Sequence, residues 1–369
     1  MNILTTNTGS SSIRLASFTG EAQGLEQQAQ RYHKPYEGTP ETLLQSFLQD
    51  YKINDISVIA HRIVHGGVRF ISSCIMNEEV EKEIDSLSSL APLHNALALQ
   101  WIRTCRAIVG SHVPQVAIFD TAFYADLPEV AKIYALPRDL CKEHDIRRYG
   151  FHGIAHKALW QRWKKLHPDI EGGGRAITIQ LGSGCSITAI NRGRPVDTSM
   201  GFSPLEGLIM ATRAGDLDPG ILLYLQKSAG ISVGELDNML NKKSGLHGVS
   251  GISSDMQDLL GSDKPEAHQA VELYCYRVKK YIGAYVSVLG GTDALLFGGG
   301  VGENAPYIRK GILENMKWCG IELDNQLNSE TIGREGCISS KTSKVDVLVI
   351  PVDEAALLAQ EAMAVVTGK

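Results

Sequence analysis

Residues 2–18, NILTTNTGSSSIRLASF, have a partner at 176–193, AITIQLGSGCSITAINRG; Gly9-Ser10 matches Gly182-Ser183, and Ser12-Ile13 matches Ser186-Ile187 after one inserted residue. Each copy reads as two β-branched or apolar runs joined by a tight Gly/Ser turn, which is a β-hairpin. A chain that opens each of its halves with the same hairpin is constrained to a duplicated architecture. Such a turn also gathers backbone N–H groups and hydroxyls at one point, as a polyphosphate needs, although one turn alone reads more simply as a plain hairpin connection. Two facing copies shift the balance toward a nucleotide held between domains.

Further apolar runs at 58–64, 116–119, 294–297 and 345–352 alternate with longer amphipathic segments, the pattern of α/β architecture with mixed sheets. The 369 residues, 43% hydrophobic, suffice for two domains. Glu171-Gly172-Gly173-Gly174 punctuates the middle of the chain. The expected division is 1–150 plus a C-terminal helix at 352–369 against 151–351. A net charge of -5 gives no bulk attraction to nucleic acid or an anionic membrane, so an anionic ligand must be held by a few placed cations. The N-terminus has neither a basic n-region nor a long apolar h-region, and no stretch approaches the roughly 18 apolar residues of a membrane span. Seven scattered cysteines without a C-x-x-C pair read as reduced thiols, and a cytoplasmic protein is expected.

Several segments end apolar runs with polar groups. His61-Arg62-Ile63-Val64-His65-Gly66-Gly67 sets Arg62 at a strand end beside a Gly-Gly turn, as a ligand contact or an ordinary edge cation. Asp120, after Ile118-Phe119, stands where open α/β sheets bind ligands, to orient an arginine, bind a metal or simply cap a turn. Arg147–His156 leads into a helix to about Leu166 whose buried face carries His152, Ala155, His156, Leu159, Trp163 and Leu166, with His152 at its mouth. Ser203-Pro204-Leu205-Glu206 has the form of a capping box and predicts a helix running through Met210, ending in a rigid turn that exposes Arg213. Gly298–Asn304 predicts a glycine-rich turn after a strand, and Asp353 a helix N-cap, with Glu354 either functional or a complement to the helix dipole.

In order along nearly the whole chain, NTGSSS, AHRIVHGG, APLHN, FDTAF, RRYGFHG, LGSG, DTSMG, SPLEG, ATRAGD, FGGGVGEN and IPVDE resemble the acetokinase family, meaning acetate kinase and its propionate and butyrate relatives. The resemblance implies two ribonuclease-H-like domains of the actin, Hsp70 and sugar-kinase superfamily with an interdomain cleft. It assigns Arg62 and Arg213 to the acyl carboxylate and transferring phosphoryl group, His152 to that group, and Asp120 to the active-site aspartate. Asn7 and Glu354 match the magnesium-site residues, with manganese as an alternative ion. Val64, Leu93, Phe151 and Pro204 match the pocket for the acyl methyl. ATP or ADP is assigned to Ser10, Ser12, Arg14, Gln180, Leu181, Gly182-Ser183-Gly184, Asp255, Met256, Gln257 and Gly300-Val301-Gly302-Glu303-Asn304.

This chain departs from the family pattern at Arg14 (usually lysine), Gln180 and Ser183 (histidine and asparagine), Gln257 (arginine) and Tyr124 (histidine). The nucleotide half is therefore the less faithful one. The implied activity is reversible phosphoryl transfer from ATP to acetate in a homodimer without nucleic-acid or membrane partners. A preference for propionate or another short acid, a different donor, and a non-catalytic nucleotide-binding protein are the alternatives.

Overall fold

A computed structural model describes residues 1–9, 12–21, 24–34, 37–89 and 94–368. The chain divides into two compact units, Met1–Ala125 with Phe151–Ala158 and Asp353–Lys369, and Asp126–Gly150 with Leu159–Val352.

The first unit holds a six-stranded sheet of β1 (Asn2–Thr8), β2 (Ile13–Glu21), β3 (Gly24–His33), β4 (Val58–Ile63), β5 (Cys74–Ile75) and β6 (Gln115–Phe119), in the order β3-β2-β1-β4-β6-β5. β1, β2 and β3 form an antiparallel meander, β1, β4 and β6 run parallel, and β5 closes the edge antiparallel. The second unit repeats this with β7 (Arg175–Leu181), β8 (Cys185–Asn191), β9 (Arg194–Thr198), β10 (Ala294–Gly298), β11 (Gly336–Cys337) and β12 (Asp346–Val349), ordered β11-β12-β10-β7-β8-β9. Again the first three strands are an antiparallel meander, β7, β10 and β12 are parallel, and β11 is antiparallel. Two hairpins with Thr8 opposite Ile13 and Leu181 opposite Cys185 therefore seed two copies of one ribonuclease-H-like topology.

Strand alternation sets the layers. Ile3, Ala16, Phe18, Val58, Ala60, Val116 and Ile118 face Leu357, Leu358 and Ala362 of the C-terminal helix Glu354–Thr367. Leu4, Leu15 and Ile59 point to the other side and meet Leu44, Phe47 and Trp101. In the second unit, Ala176, Ala294, Leu296 and Leu348 pack on Leu159 and Trp163. Among the described residues no helix is long and apolar enough to cross a membrane, and all seven cysteines are free.

The structure departs from the sequence expectations at three places. Residues 126–150 belong to the second unit and 151–158 to the first. The cause is specific: Arg148 pairs with Glu206 at 2.6 Å, Phe202 N donates to the Tyr134 hydroxyl at 2.8 Å, and Tyr149 N donates to Gly201 O at 3.0 Å. The helix expected from Ser203 is instead a run of turns. Ser203 Oγ accepts from Leu205 N at 3.3 Å, Glu206 is drawn off to Arg148 and Tyr134, and Gly207 takes a left-handed φ of +104°. Conversely the Gly298–Asn304 turn contains a short helix, Gly299–Asn304.

Candidate active site

In the first unit Arg62 comes from the penultimate position of β4, and Asp120 follows the end of the neighbouring β6. Parallel register puts Arg62 beside Ile118, so the carboxylate two residues on lies within reach. Arg62 donates through Nε at 3.1 Å and through a terminal nitrogen at 2.6 Å to one Asp120 oxygen. Its other terminal nitrogen donates to Asn7 Oδ1 at 3.1 Å and lies 3.9 Å from Glu354. The Asn7 amide donates to Glu354 in turn. Asp120 is fully buried, and its second oxygen faces Ile154 N at 3.4 Å in the first turn of the helix Gly153–Leu166.

The electrostatics follow from burial. It pushes the Asp120 carboxyl above its usual range, and the Arg62 charge and hydrogen bonds act against that rise. Burial also opposes the Arg62 charge, but Asp120 and then Glu354 overcompensate, leaving Arg62 more basic than an ordinary arginine. The result is a cation fixed in orientation by three oxygen-bearing side chains.

His152 precedes the helix with a left-handed φ of +56°, a conformation tolerated by few residues other than glycine, and is half-buried. Gly153 next to it is required sterically, because a Cβ there would sit 1.9 Å from Asp120 O and 2.8 Å from Phe123 Cβ. Val64 and Phe151 are buried, the latter packing its ring edge-on to His65 at 5.5 Å. Tyr124 donates to Phe151 O at 2.9 Å and so braces this segment. Arg14 lies opposite Asn7 in the register, with its guanidinium 4.3 Å above the Tyr32 ring. Ser12 is exposed and its carbonyl accepts from Gly9 N at 2.8 Å. Ser10 and Leu93 lie outside the described residues. Of the helix face predicted from His152 onward, Ala155, His156, Leu159 and Trp163 are buried, whereas Leu166 is exposed.

The second unit carries Arg213 and Pro204 side by side, Arg213 donating to Pro204 O at 2.7 Å. Arg213, expected to be exposed, is instead half-buried, and burial lowers its pKa below its ordinary value. A cavity of about 480 Å³ in the same unit is lined by Gly182, Ser183, Asp255, Met256, Gln257, Gly300, Val301 and Asn304, which joins eight of the residues assigned to the nucleotide. The Asp255 carboxylate caps the helix Met256–Leu260 by accepting from Gln257 N at 2.7 Å, and Gln257 is exposed. Gln180, Leu181, Gly184, Gly302 and Glu303 are not on the cavity wall. Gln180 Oε1 is a buried acceptor without a hydrogen-bond partner beside the Gly298-Gly299 backbone. Leu181 is fully buried and Gly302 is buried too. Glu303 turns back into the protein, accepting from Gly299 N at 2.9 Å and Val352 N at 3.1 Å, so its carboxylate braces the turn. Tyr274, Leu246 and Tyr307 also line the cavity. No glycine-rich turn, charge or motif in the sequence marks them.

The sequence profile of the acetokinase family matches residues 7–360. This chain belongs to the acetokinase family. It is 46% identical to an acetate kinase of Chloroherpeton thalassium over 84% of this chain and 75% of that one. It is 41% identical to an acetate kinase of Halothermothrix orenii over 99% of this chain and 100% of that one. Among solved structures, Porphyromonas gingivalis acetate kinase aligns with TM-score 0.86 at 35% identity over 99% of both chains. A propionate kinase of Francisella tularensis aligns with TM-score 0.87 at 36% identity over 98% of both.

Proposed function

We infer that this acetokinase-family chain is a reversible acetate kinase that transfers the terminal phosphoryl group of ATP to acetate. The observation that carries the residue assignment is the Arg62 cation locked by Asp120, Asn7 and Glu354 at the ends of two parallel strands. A loose, in-line phosphoryl transfer spreads charge over the equatorial oxygens, so the protein's part is positioning and electrostatics. Arg62 and His152 of the first unit and Arg213 of the second are assigned to that charge and to the acyl carboxylate. The acceptor is ionised at neutral pH, since simple carboxylic acids titrate at about 4. No general base is needed, and Asp120, hydrogen-bonded to Arg62 through both donor sites, orients the cation.

A magnesium ion fits this chemistry. Magnesium binds through one or two carboxylates plus substrate phosphates and keeps waters, with no dedicated protein cage. Among the described residues no group of three or more His, Cys, Asp or Glu side chains could hold a metal; Glu354 would offer a carboxylate oxygen to such a shared site, and Asn7 its amide oxygen on release from Arg62. The ion would neutralise phosphate charge. The donor's adenosine is assigned to the 480 Å³ cavity, whose glycine-rich walls let backbone approach a flat base.

Val64 and Phe151 are the buried apolar groups assigned to the acyl side, with Leu93 and Pro204. The comparable likeness to a propionate kinase keeps propionate as a second acceptor. The homodimer reading is supported by the helix Pro219–Ser228, which buries none of its residues and exposes Ile221, Leu223 and Tyr224. A second copy of this chain would cover that apolar face. Sedimentation at the monomer mass of 40.1 kDa, unchanged in Leu223→Asp, would refute it.

The deciding assay traps acetyl phosphate as the hydroxamate, with ATP, magnesium and acetate, and runs the reverse reaction with ADP. Activity should be present in wild type and fall by orders of magnitude in Arg62→Ala and Arg213→Ala. Near wild-type kcat in either variant removes that arginine from the mechanism.

A further inference from the structure

The helix Pro306–Leu313 carries Arg309, a fully buried arginine. Its Nε donates to Asn328 Oδ1 at 2.8 Å, one terminal nitrogen donates to Gly302 O at 2.8 Å and Glu303 O at 3.1 Å, and the other to Asn328 O at 2.8 Å and Thr331 O at 2.6 Å. Every acceptor is neutral. Among the described residues no ion pair includes Arg309, and burial brings its pKa down to about 10. A buried arginine without a carboxylate is costly, and a packed apolar residue would generally be the more stable choice. The cost has to be met by something other than fold stability.

The acceptors show what is held. Gly302 and Glu303 are the last turn of the short helix Gly299–Asn304, whose carbonyls lack intrahelical partners. Four residues of the nucleotide cavity wall, Asn304 at the end of that helix and then Ala305, Pro306 and Tyr307, come directly after those carbonyls. Asn328, gripped twice by Arg309, donates back to Pro306 O at 2.9 Å, and Gly333 N donates to Glu303 O at 3.1 Å. At the opposite end Glu303 ties down Gly299 N and Val352 N. The cavity wall is thus pinned from behind at both ends.

We propose that Arg309 is a positioning residue for the nucleotide site, fixing the Gly300–Tyr307 wall through the Gly302 and Glu303 carbonyls and the Asn328–Thr331 segment. It touches no ligand itself; the planar guanidinium fork is what lets one side chain satisfy five separate acceptors, which a lysine ammonium cannot reproduce. This rests on the assignment of the 480 Å³ cavity to the donor nucleotide.

The test measures KM for ATP, KM for acetate, kcat and thermal midpoint in wild type, Arg309→Lys and Asn328→Ala. Arg309→Lys keeps the charge and loses the fork, so KM for ATP should rise about tenfold, as expected for the loss of a charge-assisted hydrogen bond, with KM for acetate unchanged. Asn328→Ala removes the one side-chain acceptor and should raise the same constant by a smaller factor, and it carries the test if Arg309→Lys does not fold. A lowered thermal midpoint with both KM values at wild type would overturn the proposal and leave Arg309 a structural group. Titration of ADP separates the premise: wild-type affinity for ADP in Val301→Trp, which would fill the cavity, refutes the nucleotide cavity, whereas normal ADP binding in Arg309→Lys and Asn328→Ala refutes the role of Arg309.

Discussion

Asp120→Asn isolates the charge that holds Arg62. The substitution keeps the shape of the side chain and one oxygen, but removes the anion from a fully buried position. Breaking a buried ion pair by one partner costs about 3–5 kcal/mol, because the other charge is left uncompensated. Arg62 retains the Asn7 carbonyl oxygen at 3.1 Å and the Glu354 carboxylate at 3.9 Å, which puts the cost at the lower end, about 3 kcal/mol. The first unit comprises about 150 residues, for which a loss of this size lowers the thermal midpoint by about 6–12 °C. The activity loss has a separate origin. With Asp120 neutral, Glu354 is the remaining anion near Arg62, and the guanidinium swings toward it. Misdirecting a group that stabilises transition-state charge costs about 10²-fold or more in kcat. Initial hydroxamate rates at saturating acetate and ATP, taken well below the variant's midpoint, separate the two effects. A variant with wild-type kcat and midpoint would refute the claim that this pair organises the site. A pH–rate limb near the Asp120 titration that vanishes in Asp120→Asn would instead show that it accepts a proton.

Four further outcomes follow from particular contacts. His61, His65 and His156 are buried with pKa values lowered by desolvation to about 4, 4 and 3, so the unfolded chain takes up protons near pH 6.5 that the folded protein refuses. Stability is therefore complete above about pH 7 and falls as the pH drops from there toward 4, by up to about 4 kcal/mol per pH unit if all three contribute; urea midpoints that stay flat from pH 7 to 5 would refute this. Gly153→Ala drives a Cβ into Asp120 O and should reduce kcat severely; an active, stable variant would show that the helix start moves freely. Acetate and propionate should both react and butyrate poorly, with each accommodated methylene gaining about 0.8 kcal/mol; a butyrate optimum in kcat/KM would show the pocket to be larger. Gln180→His and Gln257→Arg should lower KM for ATP by restoring charged donors, while an already low value unchanged by both would make these departures neutral.

The duplicated hairpin was legible because its signal is local: period-two alternation and a Gly/Ser turn lie within eighteen residues, and both sheets grow from it. Asp353 was legible for the same reason, its side chain accepting from Ala356 N at 2.9 Å as a helix cap. The edge strands β3 and β9 were not. GLEQQAQRYH is largely exposed, so no apolar period marks it, and pairing with β2 alone makes it a strand. The helix expected at Ser203 failed for a non-local reason, since Glu206 serves Arg148 and Tyr134, residues 58 and 72 positions away. In the site, Arg62 and Asp120 were visible as polar residues ending apolar runs, and their mutual bond matches one of the roles open to Asp120. Arg309 was invisible, because four of its five acceptors are main-chain carbonyls of residues scattered between 302 and 331, and carbonyls leave no mark on sequence.

The two units place their functional groups by different means. In the first, side-chain charges orient one another: Arg62 is aimed by Asp120, Asn7 and Glu354. In the second, the Gly300–Tyr307 stretch of the cavity wall is held through its backbone, the charged groups Glu303 and Arg309 bonding to amides and carbonyls. Charge arrangements act where charge develops, so faults in the first unit should appear in kcat, because they withdraw stabilisation specific to the transition state. A backbone wall acts on a ligand that is bound equally before and during reaction, so faults there should appear in KM for the nucleotide. The two losses belong to different steps and share no partner. Asp120→Asn combined with Arg309→Lys should therefore lower kcat/KM by the product of the single effects, within about 0.5 kcal/mol. A strongly sub-multiplicative double variant would mean that the wall and the Arg62 cation act as one catalytic device.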